Sequence, residues 1–283
     1  MKFNGRNVSI SPKAQLGRNV KIGDNTAIYD GVEIGDDSII CNDVALGEPL
    51  SDYYDNPDYC NPSTVIGEGA LIRSHTIIYA GCQIGKGLST GHGACVREYT
   101  TIGEHCLVGA SCFLMGRLRL GNYCRLHSFV GIAQKWSLGN FVFIYPFVTM
   151  TDDPWPPSND TVAGSIGDYS QVATHAVLLP GVNIGENCLV GAHAMVSKDI
   201  PSFSLAVGNP ARVLMDIRRY AANGKESLYP WMTRFDRGMP WSGIGFEAWS
   251  KRNHIQDQIP LRLDGGQVGQ DEMGSAQFHP PLQ

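Results

Sequence analysis

Large aliphatic side chains recur at every sixth residue along most of this chain, and few folds accept that spacing. From Ile66 the positions run through Ile72, Ile78, Ile84, Thr90, Val96, Ile102, Val108, Leu114, Leu120, Leu126, Ile132, Leu138 and Ile144 to Met150. Upstream the same step gives Ile10, Leu16, Ile22, Ile28, Ile34, Ile40 and Leu46. Downstream, after a break, it gives Ile166, Val172, Leu178, Ile184, Val190 and Val196. Of these twenty-eight positions only Thr90 is polar, and the next residue is glycine at fourteen of them. A period of six fits neither the helical repeat of about 3.6 residues nor the two-residue alternation of a strand. It fits a short strand followed by a sharp bend, with three such units closing a triangular coil of eighteen residues. The repeated aliphatic points inward, and coils stack at the inter-strand spacing of about 4.8 Å. The expected fold class is an all-β solenoid, a parallel β-helix of about nine triangular coils. A short C-terminal helix and an irregular, aromatic-rich tail are expected to follow it.

Composition narrows the function classes. The chain has 283 residues, 33 of them glycine, with 17% charged, 43% hydrophobic and a formal net charge of −5. The apolar fraction is too high for a disordered chain, and a pI near 5.9 speaks against a general nucleic-acid binder. No apolar run approaches the roughly 18 residues of a membrane span, and Met1 to Gly5 holds no apolar signal core. The expected compartment is the cytoplasm, with neither nucleic acid nor membrane as a partner. Cys82, Cys106, Cys112, Cys124 and Cys188 all fall four residues after a ladder position, a slot otherwise held by Ala, Thr, Val or Leu. They read as small inward-facing packing residues rather than as disulfide or metal ligands.

Two further stretches add to the pattern: Val177-Leu178-Leu179-Pro180-Gly181-Val182-Asn183-Ile184-Gly185 followed by Val196 to Pro201, and Val207-Gly208-Asn209-Pro210-Ala211-Arg212. With the ladder, these resemble the left-handed β-helix, hexapeptide-repeat acyltransferases over residues 8–213. The resemblance implies a left-handed helix and an acyl-CoA donor. Residues 1–212 are then the acyltransferase β-helix, with inserts at 48–61 and 151–165. Residues 213–283 supply a capping helix, read over Val213 to Ala222, and an extended tail; its aromatic-rich run from Tyr229 to Trp249 is expected across the prism or a neighbouring subunit, and it is loosely held from about residue 260. The first insert is either a packed corner loop or a set of tyrosines contacting the acceptor or its nucleotide.

Residues eighteen apart lie one above another, so Asp152 sits over Gln134, Gly116 and Glu98 on one wall. The stretch Met150-Thr151-Asp152-Asp153-Pro154-Trp155-Pro156 resembles the Phe-Thr-Asn-Asp-x-Tyr-Pro motif of acyltransferases acting on nucleotide-linked amino sugars. Asp152 stands at the motif Asn, Asp153 at its Asp, and Gln134 where some relatives hold a substrate-binding Glu. An ionised Asp accepts hydrogen bonds but cannot donate them as Asn does, which suits a cationic amine. The bland reading of Asp152-Asp153-Pro154 is turn chemistry. His127 is the leading base and Asp152 its catalytic companion. His92 occupies a slot in which relatives keep a catalytic histidine, and joins Gln134, Asp153, Trp155 and Glu98 as acceptor-binding candidates. The resemblance places Ala173, Gly191, Lys198, Asn209, Pro210 and Arg212 against the CoA donor.

His75, His105, His175 and His193 read as outer bend residues. His175 and His193 stack, but two ligands without a third do not make a metal site, so no metal is expected. Phe113, Tyr123, Phe129, Phe141, Phe143 and Phe147 lie outside the ladder and would leave a lone prism with wet aromatic walls. The resemblance resolves this as a homotrimer with sites between prisms. Three functions stay open: N-acetyl transfer to a nucleotide-linked amino sugar for surface-glycan precursors, O-acetyl transfer to a sugar or other hydroxyl, and a non-catalytic or carbonic-anhydrase-like β-helix. In either transfer the proton goes to His127 or to the departing thiolate.

Overall fold

A computed structural model describes residues 3–219, 221–222, 226–227 and 229–255. The stretch from about residue 260 onward lies outside the described residues. The six-residue ladder folds as a left-handed parallel β-helix with three sheets of ten, nine and eleven strands. The coil count is therefore slightly above the expected nine. We refer to the faces by one coil: Gly131–Ile132 on the first, Ser137–Leu138 on the second, Phe143–Ile144 on the third. Neighbouring coils pair in parallel at the period of eighteen, as in Leu114 with Ile132 and Ile132 with Met150. Both inserts leave this register intact: Ile34 pairs with Ile66 and Leu138 with Ile166.

Every ladder side chain from Ile28 to Val196 is buried, and together they form one continuous core. Ile10 and Leu16, in the first coil, remain 42% and 40% exposed because no coil lies beneath them. Thr90 interrupts the ladder for a local reason. Its hydroxyl lies 3.0 Å from the buried Thr76 hydroxyl and accepts the Arg73 N–H at 2.9 Å. Cys82, Cys106, Cys112, Cys124 and Cys188 are buried, as the slot argument required. Burial pushes the Cys82 thiol up to about 12, so it packs as a neutral group.

Glycine follows every second-face strand at a corner where successive coils approach closely. A Cβ on Gly121 would meet the backbone of Gly139 at 2.6 Å, and one on Gly67 the Lys86 nitrogen at 2.5 Å. Only a residue without a side chain closes that corner.

Two expectations need correction. No helix spans Val213 to Ala222. Arg212–Asp216 is a strand running antiparallel to Ser204–Val207, followed by a 3-10 turn at Ile217–Arg219. The last strand of the third face has an open edge of backbone donors and acceptors, and an antiparallel return satisfies them directly. The α-helix among the described residues is Phe246–Arg252. Nor are all the listed aromatics wet. Phe141 and Phe143 are only 7% and 6% exposed, under a strap that carries Trp231, Phe235, Trp241 and Trp249 across the third face of the same prism. The Trp231 indole N–H donates to the Tyr169 carbonyl at 2.9 Å, and Arg125 donates to the Gly238 carbonyl at 2.7 Å. Phe113, Phe129 and Phe147 stay exposed.

The three faces thus differ. The third is covered by the strap over its upper coils, around Phe143 and Leu189. The second presents polar side chains such as Gln83, Thr101, Arg119, Ser137 and Ser165. The first is bare and mainly small or apolar: Ala27, Ala45, Ile77, Cys95, Phe113, Gly131, Val177 and Met195.

Candidate active site

Two corners flank the bare first face, and the sequence-derived candidates divide between them. At the third-to-first corner, the residue directly after each ladder position forms a vertical row: Gly109, His127, Tyr145, Ala173, Gly191. The rungs are backbone bonds from His127 N–H to Ile144, Tyr145 to Val172, Ala173 to Val190 and Gly191 to Ala206. Gly109 must lack a side chain, because a Cβ there would meet the His127 carbonyl oxygen at 2.6 Å. The His127 imidazole stacks on the Tyr145 ring with centroids 4.9 Å apart and planes within 8°. It is half-buried. Burial, aided by the neighbouring Arg125 cation, lowers its pKa from the usual 6.5. It is therefore neutral at pH 7, the form that accepts a proton.

Above Tyr145 the row narrows to Ala173 and Gly191, and a Cβ on Gly191 would meet Val207 at 2.9 Å. The Gly208 to Ala211 turn is fastened there, since Met195 N–H donates to the Gly208 carbonyl at 3.1 Å and Ala211 N–H to the Met195 carbonyl at 2.8 Å. Asn209, Pro210 and Arg212 lie exposed on that turn and at its end. Small residues thus line the wall beneath an exposed turn. Lys198 is not part of this group; it follows a first-face strand and stands exposed at the next corner.

The first-to-second corner holds the acidic candidates. Asp152 stands over Gln134 as the period required: the Gln134 N–H donates to Asp152 Oδ2 at 3.1 Å. The Asp152 carbonyl accepts the Val162 N–H at 2.8 Å and so closes the neck of the second insert. Asp153 is occupied differently. Its carboxylate accepts the Trp155 and Ser158 N–H groups and the Ser158 hydroxyl at 2.6–2.9 Å, and the Ser158 bonds hold its pKa below the ordinary carboxylate range. Its carboxylate thus carries out the turn chemistry weighed above. Trp155 projects from the insert at 76% exposure. Glu98, two coils below Gln134, pairs with Arg97 at 2.7 Å. His92 is exposed at the corner of His127, two coils lower and one residue further round.

The structure therefore joins Asp152 to Gln134, and His127 to Ala173 and Gly191. His127 and Asp152 stand at opposite edges of the first face and do not meet within one chain. Two contributors escaped the sequence reading. Tyr145 was discoverable, because it lies eighteen residues after His127. Arg125 was not, because the strap that fixes it carries no repeat. Among the described residues no three His, Cys, Asp or Glu side chains gather as a metal site. The His175 and His193 rings stack face to face at 5.0 Å. Among the described residues no helix is long and apolar enough to cross a membrane.

Known proteins share this pattern. The family described as bacterial transferase hexapeptide (six repeats) matches residues 13–48, and the hexapeptide repeat of succinyl-transferase matches residues 99–125 and 181–205. Chloramphenicol acetyltransferase of Agrobacterium fabrum is 27% identical over 109 residues, 35% of this chain and 51% of that protein. The Escherichia coli protein of the same name is 27% identical over 107 residues, 34% and 50% of the two chains. This chain thus spans about half the length of the curated relatives it matches. Among solved structures, a UDP-N-acetylglucosamine acyltransferase from Campylobacter jejuni aligns over 76% of this chain and 77% of its own, at 22% identity and a TM-score of 0.41. The chain carries hexapeptide repeats over these residues and resembles the hexapeptide-repeat acyltransferases.

Proposed function

We propose that this protein is a cytoplasmic acyltransferase that moves an acetyl group from acetyl-CoA to the amine of a nucleotide-linked amino sugar. The observation that carries this reading is the neutral, half-buried His127, held on Tyr145 beneath the Ala173–Gly191 run. A neutral base beside a run of small residues suits acyl transfer from the thioester of a thin, flexible donor arm.

Acyl-CoA, when bound, supplies an activated acyl carbon. His127 takes the proton that the amine loses as its lone pair forms the new C–N bond and the C–S bond breaks. It then returns that proton to the departing thiolate, so His127 ends as it began. Ala173 and Gly191 leave the donor's path open, and the Gly208–Arg212 turn closes its upper end. Asp152 and Gln134 orient the acceptor; a carboxylate facing an amino group favours its approach. Because His127 and Asp152 stand at opposite edges of the first face, we place the reaction between copies in a homotrimer, with one copy's His127 corner facing the next copy's Asp152 corner. The bare apolar first face supports that assembly.

A hydroxyl acceptor is the second reading. The observation favouring it is again the neutral His127, because a hydroxyl is a poorer nucleophile than an amine and depends more on a base. The test is thiol release from acetyl-CoA with a panel of nucleotide-linked amino sugars and the matching hydroxyl sugars. Release with amines alone supports the proposal. Release with hydroxyl sugars alone replaces it with O-transfer, and release with neither removes the enzyme.

A further inference from the structure

At the first-to-second corner, the third residue after each ladder position forms a second row: Gly81, Tyr99, Arg117, Lys135, Asp153. Backbone bonds lock its rungs, from Arg117 N–H to the Glu98 carbonyl at 2.8 Å and from Lys135 N–H to the Gly116 carbonyl at 3.2 Å. The Arg117 guanidinium lies 4.7 Å over the Tyr99 ring. Arg119 projects from the second face two residues further along, paired in register with Ser137. All three cations are exposed.

None of these cations has an acidic partner among the described residues. Elsewhere in the prism Arg6, Arg18 and Lys86 each meet a carboxylate one coil above, at 2.6–3.5 Å. Arg117 instead has Lys135 above it, in a chain whose net charge is −5. Asp153, one coil higher, has turned its carboxylate to Ser158, and Glu98 below is taken by Arg97. Like charges facing one another on neighbouring strands destabilise the pair. A bound anion reverses the sign.

The row is also polar from end to end. Its lower part is aromatic: Tyr99 sits over Gly81, whose missing Cβ leaves space for the ring. Beside its upper part, one residue earlier in the repeat, stand Gln134 and Asp152. From Tyr99 to the level of Asp153 is three coil steps, about 14 Å. Base, two phosphates and sugar in extended form have that order.

We propose that Arg117 and Lys135, with Arg119 beside them, hold the diphosphate of the nucleotide-linked acceptor, with its base beside the exposed edge of Tyr99 and its sugar at Gln134 and Asp152. The assignment rests on the acceptor class proposed above. CoA carries the same diphosphate chemistry, but the proposed function places it along Ala173 and Gly191, at the far edge of the first face.

The test is calorimetric titration of the full chain with UDP, GDP, dTDP, CoA and inorganic pyrophosphate, with no acyl donor present. Arg117→Asn and Lys135→Asn are the variants, because asparagine tolerates the left-handed backbone of φ 55° and 64° at these positions. At least one nucleoside diphosphate binds, each variant weakens it about tenfold or more, added salt weakens it further, and CoA affinity is unchanged. Should Arg117→Asn fail to fold, Lys135→Asn carries the test, since it removes no cation–ring contact among the described residues. No nucleoside diphosphate binding, binding indifferent to both variants, or loss of CoA in place of the nucleotide overturns the site. Nucleotide binding through these residues without any acyl transfer keeps this site and overturns the proposed function.

Discussion

The His127 imidazole lies flat on the Tyr145 ring, 4.9 Å between centroids, one coil apart and at the same place in the repeat. The stack fixes the ring plane, and burial together with Arg125 keeps the ring neutral. Position and protonation state thus come from separate neighbours, and each can be tested alone. His127→Asn keeps a planar polar side chain but removes the base. We expect kcat for acyl transfer to fall about 10²–10⁴-fold with an unchanged melting temperature. An unchanged kcat would assign the proton to the thiolate.

The pH profile follows from the direction of the His127 shift. The neutral form is active, and its pKa lies below 6.5. The rate is therefore constant near pH 7 and falls as pH drops through that lower value. Arg125→Met removes a positive neighbour, which raises the His127 pKa and moves the acid limb to higher pH. An NMR titration of the His127 ring follows the same shift without reference to turnover.

Corner glycines and face glycines respond differently to the same substitution. Gly121→Ala forces a Cβ against backbone and should cost about 1–3 kcal/mol or more, seen as a lower melting temperature. Gly131 lies on the bare first face with nothing within 4 Å of an added Cβ, so Gly131→Ala should fold normally. Gly131→Arg places a charge on the proposed interface. Size-exclusion chromatography should show it as a folded monomer beside a trimeric parent.

Much of this architecture was legible in advance. A strict six-residue period fixes which side chain faces inward, and three periods fix which residues stack, so the Gln134–Asp152 contact followed from arithmetic. The cap was misread because Val213-Leu214-Met215 is apolar and sits after the repeat, where a helix and an edge strand have similar local sequences. The open backbone edge of Ser204–Val207 decides between them, and that edge exists only once the coils are built. The strap was legible only in part: the aromatic run from Tyr229 to Trp249 pointed to a segment across this prism or a neighbouring subunit, and the structure lays it on its own prism. Arg125 and Gly238 are joined across 113 residues with no periodicity to connect them.

The strap itself offers a separable test. Trp241 is fully buried and touches Phe141, Trp231, Phe246 and Trp249. Trp241→Ala removes packing worth about 3–5 kcal/mol, which exceeds what a short strap can spare. Limited proteolysis should then cut within 229–255 while the β-helix keeps its circular dichroism. Loss of the whole β signal would show instead that the strap is integral to the prism.

The central claim is that the His127 corner transfers an acyl group. Its most direct measurement is free thiol released from acetyl-CoA, with the acceptor's mass followed in the same reaction, for wild type and His127→Asn. The account predicts thiol in step with N-acetylated nucleotide-linked sugar for wild type, and at least a hundredfold less for the variant. Absence of acetylated product with every amine and hydroxyl acceptor, from a folded protein, would contradict it.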